Sequence, residues 1–102
     1  MKNNVISITK FRNLLKKYNY EIVKGNNIRI NGNLVGCSGF LKKANDERLV
    51  YFNTDNLLHK VLYRTAQNLK DFGGGINCYA TFDANLLAGL ERIYKIGDWS
   101  KR

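Results

Sequence analysis

Apolar residues recur along this chain at two spacings, and the switches between them predict its elements. Ile8, Phe11, Leu14, Leu15 and Tyr18 fall at i, i+3, i+6, i+7 and i+10, one stripe at helical spacing. Ser7 suits the N-cap and Asn19 the terminator, so a first helix is expected between them. Lys10, Arg12, Lys16 and Lys17 fall off the stripe, toward solvent.

The period then shortens to two. Tyr20-Glu21-Ile22-Val23 reads as a strand, Lys24 to Asn27 as a turn, and Ile28-Arg29-Ile30 as a second short strand. Asn31-Gly32 is a strong hairpin signal, because both residues tolerate the positive φ that a two-residue turn needs. Leu34 to Leu41 follows, with Gly36 and Gly39 suggesting a bulge or a close approach of backbones. Lys42 to Arg48 is polar and loop-like. Leu49-Val50-Tyr51-Phe52 reads as a further strand.

Residues 54–70 fit two patterns. Leu57, Leu58, Val61, Leu62, Thr65, Ala66 and Leu69 share a helical face, while Val61, Tyr63 and Thr65 alternate as a strand would. The longer match predicts a helix, capped by Thr54 or Asp55 and ended at Gly73-Gly74-Gly75. Ile76 to Thr81 alternates as a strand. Asp83 then caps a last helix with Leu86, Leu87, Leu90, Ile93 and Tyr94 on its apolar face, closed by Gly97, and Trp99 can fold the tail back. The expectation is one α+β domain over residues 1–102: helix, antiparallel β-meander of about four strands, helix, strand, C-terminal helix.

Composition narrows the class. At 102 residues and 44% apolar, the chain can bury a modest core without a staple. No apolar run approaches the roughly 20 residues that span a bilayer. The first ten residues lack the apolar run of a signal peptide, so a cytoplasmic protein without membrane contact is expected. Cys37 and Cys78 lie in strand-like segments outside any Cys-x-x-Cys pair, and both read as reduced packing residues. Neither a metal nor a cofactor is expected.

Charge is distributed unevenly. Residues 1–45 carry nine Lys/Arg against Glu21 alone, so +8 of the net +9 lies there. Such a region attracts polyanions, since each neutralised phosphate releases a counterion. The expected contacts are Lys10, Arg12, Lys16 and Lys17 on the first helix, Lys24 and Arg29 around the first hairpin, and Lys42 and Lys43 on the following loop. Phe11, Tyr18, Tyr20 and Phe40 are interleaved with them, as in surfaces that stack bases while cations track phosphates. The competing reading makes Phe11 and Tyr18 core residues and the lysines a solubilising face.

Catalytic chemistry has little to draw on. His59 is the one histidine, and with Arg64 and Lys70 on the same predicted helix face it could serve an RNase-like cleavage. The eight acids are too scattered for two-metal catalysis. Lys70-Asp71-Phe72-Gly73-Gly74-Gly75 follows a predicted helix and precedes a strand, the reverse of a phosphate loop. No catalytic residue is assigned, and the chain is read as a binding protein.

The segment Leu62 to Asn77, with its run Lys70-Asp71-Phe72-Gly73-Gly74, resembles a stretch found in small proteins of phages, plasmids and integrative elements of low-GC Gram-positive bacteria. In those, a threonine stands where this chain has Gly73. The resemblance implies an accessory protein of a mobile element. Such proteins include anti-CRISPR inhibitors, so the implied partner is nucleic acid or a nucleic-acid-containing host complex. An alternative is direct binding of a host protein through Tyr63, Arg64, Phe72, Gly73, Gly74 and Trp99, using aromatic and glycine-loop contacts. Short edge strands also permit a dimer.

Overall fold

Asn31 and Gly32 adopt φ of 53° and 81°, the mirror-image turn whose twist matches two paired strands. They join β1 (Tyr20–Ile30) to β2 (Asn33–Lys43). A computed structural model describes residues 6–55, 60–71, 74–81 and 86–99. In it β3 (Leu49–Asp55), β4 (Lys60–Ala66) and β5 (Gly74–Thr81) follow, each antiparallel to the strand before it. The sheet order is β1-β2-β3-β4-β5, a five-stranded meander. The helix α1 (Ile8–Lys16) precedes it and α2 (Leu86–Ile96) follows. The architecture is α+β with an antiparallel meander, as the periodicity indicated.

Two elements differ from expectation. Lys24 to Asn27 is not a turn: β1 runs through it unbroken, paired to β2 with bulges at Val23 and Val35. The helix expected over residues 54–70 is replaced, from Lys60 to Ala66, by β4. Val61, Tyr63 and Thr65 all point inward and are buried, so period two governs this segment. Leu62 between them is half-buried on the other face, which gave the run its helical look. The proposed cap Asp83 lies outside the described residues.

Local signals fix α1 on the sheet. The Ser7 hydroxyl accepts from the Lys10 amide at 3.1 Å, closing the first turn. The Ile8 amide, another helix-end donor without an intrahelical partner, donates to Asn27 Oδ1 at 2.8 Å. That bond ties the helix to β1. Asn19 ends the segment at φ 67°, in the left-handed region that asparagine tolerates.

Both helices cover the same face of the sheet. Cys37, Leu41, Val50, Phe52, Val61 and Tyr63 meet Phe11 and Leu15 of α1 and Leu90, Ile93 and Tyr94 of α2 in one buried cluster. The Phe11 and Phe52 rings lie 4.8 Å apart, and those of Tyr20 and Tyr94 6.0 Å. Full burial of a large apolar side chain contributes roughly 1.5–3 kcal/mol, so this cluster is the main source of stability. Cys37 is free and buried, as expected. Its amide donates to Thr54 Oγ1 at 2.9 Å, which satisfies one of the few polar groups in the core.

The other face carries its own apolar residues. Phe40 is only 3% exposed although it lies outside the core cluster. Its ring meets Tyr51 edge-on, with centroids 5.7 Å apart. Gly39, beside it, has φ 156°, and a Cβ there would strike the Lys24 carbonyl. The close backbone approach suggested by this glycine is therefore present between β1 and β2.

Candidate nucleic-acid interface

The four cations of the first helical segment form an ordered surface. Phe11 and Leu15 take the buried side of α1, which leaves Lys10, Arg12, Lys16 and Lys17 exposed. Arg12 and Lys16, four residues apart, share one row, and Lys10 and Lys17, seven apart, share a second. Thr9 and Asn13 lie between the rows, both exposed. The helix contains no acid. Among the described residues, ion pairs join Lys42 to Glu21 and Arg48 to Asp46, and none involves these four cations.

The remaining expected contacts are dispersed. Lys24 sits at the β1 bulge, paired in register with Phe40, so it belongs to the face opposite the helices. Arg29 lies near the hairpin tip, where its guanidinium donates to the Gly32 carbonyl at 3.4 Å. Lys42 and Lys43 are not on a loop but are the last two residues of β2. Lys42 also holds Glu21 at 3.1 Å. The eight residues therefore do not make one patch. Four are gathered on α1, and β1, the sheet's edge strand, separates them from Lys24.

The aromatics are mostly committed elsewhere. Phe11, Tyr20 and Phe40 are each 5% exposed or less, and Tyr18 alone is open, at 53%. Tyr18 leaves the helical stripe because α1 stops at Lys16. The alternative protein-binding set is likewise divided. Tyr63 is fully buried, and burial pushes its hydroxyl above the ordinary tyrosine range. It is a core residue rather than a surface anchor, since β4 turns it toward the helices. Arg64 is half-buried on the opposite face. Gly74 begins β5. Phe72, Gly73 and His59 lie outside the described residues.

Trp99 does fold back, and it forms a clasp with residues whose pairing the sequence left hidden. Its indole donates to the Leu49 carbonyl at 2.7 Å and its ring stacks on Tyr94. The Arg48 guanidinium lies over both rings, 5.0 Å from Tyr94 and 4.8 Å from Trp99. It also grips Asp46 in a two-pronged pair and, by hydrogen bonding, lowers that carboxyl to about 2. The clasp seals the far end of the core and presents no free charge to a partner.

A second feature lies on the sheet face opposite the helices. A cavity of about 200 Å³ is lined by Lys24, Asn26, Ser38, Phe40, Tyr51 and Leu69, together with Gly25 and Gly39. Of these, Lys24 and Phe40 were singled out from the sequence. Tyr51 was legible only through alternation, since Val50 and Phe52 claim the core side. Among the described residues, no three His, Cys, Asp or Glu side chains come together as a metal site, and no helix is long and apolar enough to cross a membrane. No protein-family model, curated protein or solved structure matches the chain.

Proposed function

We propose that the chain is a non-catalytic binding protein for nucleic acid, or for a ribonucleoprotein, and that the outer side of α1 is its phosphate-contacting surface. The observation that carries this reading is that α1 is charged against its own stability. Lys10 stands in the first turn, where the helix dipole favours an acid. Arg12 and Lys16, like charges at i and i+4, cost the helix roughly 0.2–0.5 kcal/mol. Lys16 and Lys17 at the C-terminal end suit the dipole, but Lys10 and Arg12 do not. A polyanion laid along the helix would relieve these costs and release counterions. With the resemblance of the Leu62–Asn77 segment, this suggests a cytoplasmic accessory protein of a mobile element.

The test is fluorescence anisotropy against labelled single-stranded RNA, single-stranded DNA and duplex DNA at about 50 and 200 mM salt. Expected are affinities that fall steeply with salt, and a uniform loss in the Lys16→Glu/Lys17→Glu variant, because phosphate contacts position without specifying sequence. No binding at the lower salt, or an unchanged double variant, would overturn the reading. In that case a partner recovered from nuclease-treated host lysate would point to direct protein binding.

A further inference from the structure

The cavity on the face opposite the helices has the chemistry of a seat for a single flat ring. Resting on the polyanion reading above, we propose that it holds one unpaired base of a single-stranded nucleic acid, with Lys24 at the adjoining phosphate.

Size is the first argument. Pockets for drug-sized ligands start at roughly 300 Å³, and this one, at about 200 Å³, suits a smaller group. Its wall supplies rings: Tyr51 is partly open, backed edge-on by Phe40 at 61° between planes. Tyr51 is also held in place, since its hydroxyl accepts from Asn53 Nδ2 at 3.2 Å. A fixed ring loses little freedom when a base stacks on it.

The polar lining fits a base edge. The Asn26 amide and the Ser38 hydroxyl each donate and accept, which is what ring nitrogens, carbonyls and amino groups need. None of the described lining residues is a carboxylate, and Lys24 provides a counter-charge for a phosphate. Gly25 and Gly39 contribute backbone to its lining. At Gly39 the approach of the Lys24 carbonyl leaves no room for a Cβ.

Placement links the cavity to α1. The helix packs chiefly over β1, and β1 is the edge strand, so one chain crossing that edge meets the α1 cations on one side and Lys24 on the other. The bulged Val23 and Tyr18, 43% and 53% exposed, are open apolar residues of this region. A duplex keeps its bases stacked and cannot offer one to the cavity. A single strand can.

Two experiments test this. The first titrates isotope-labelled protein with adenosine and uridine 5′-monophosphates and follows backbone amide shifts by NMR. Shifts centred on Asn26, Ser38 and Gly39 support the seat, and shifts elsewhere or none overturn it. The second uses oligonucleotides carrying 2-aminopurine, as single strand and as duplex. Stacking on Tyr51 should quench the single strand, and Tyr51→Leu should abolish the quench and weaken single-strand binding about tenfold, with duplex binding unchanged. Asn26→Glu, at an exposed position, should do the same if Tyr51→Leu fails to fold. Equal binding of single strand and duplex, untouched by these variants, would overturn the base seat and leave the α1 surface standing. Mononucleotide shifts at the cavity without any oligonucleotide binding would leave only a site for free nucleotides, and would overturn both the single-strand seat and the polyanion reading.

Discussion

The Tyr94 hydroxyl donates to the Arg48 carbonyl at 2.9 Å while accepting from the Lys43 amide at 3.0 Å. One side chain of α2 thus satisfies both ends of the β2–β3 connection. These groups lie at the rim of the core, where an unmet hydrogen bond is costly.

Tyr94→Phe keeps the ring stack on Trp99 but removes this bridge. The expected loss is about 1–2 kcal/mol, read as a lower urea midpoint with an unchanged slope.

Asp46 gives the fold a pH dependence at the acid end. Arg48 lowers its carboxyl to about 2 in the folded chain, below the roughly 3.9 of an unfolded one. The pair's stabilisation is therefore complete above about pH 4 and fades as pH falls toward 2. Asp46→Asn should be less stable at neutral pH and show a flatter acid limb in that window. Parallel limbs in urea titrations of the two proteins would refute the assignment.

Phe11 and Tyr18 should separate cleanly under alanine substitution. Phe11 is fully buried against Phe52, and its loss should cost about 3–5 kcal/mol. Tyr18, half exposed, should cost under about 0.5 kcal/mol. Thermal melts of the two variants measure the difference.

That contrast also marks how far sequence could be read. The stripe from Ile8 to Leu15 placed α1 correctly, and it failed at Tyr18 only because the helix stops before it. Asn31-Gly32 made its hairpin because turn chemistry is local. Residues 60–66 carry a helical pattern because β4 has apolar residues on both faces, Val61 and Tyr63 within and Leu62 without, and a two-sided strand loses its clean alternation. The β-branched and aromatic content of the inward set is the signal that favours a strand there. The α1 cations were visible because charge off an apolar stripe must face solvent. The cavity was not, since Lys24, Ser38, Tyr51 and Leu69 come from separate strands and a turn. No spacing rule joins them.

The order β1-β2-β3-β4-β5 has a kinetic meaning as well. Every strand pairs with its neighbour in sequence, so the sheet can assemble by successive short loop closures, each entropically cheap. The long closures are those of the C-terminal clasp, where Tyr94 reaches back 46 residues to Arg48 and Trp99 reaches back 50 to Leu49. The one tryptophan of the chain therefore reports the last step rather than the first. A refolding trace followed by its emission should lag behind one followed by backbone ellipticity.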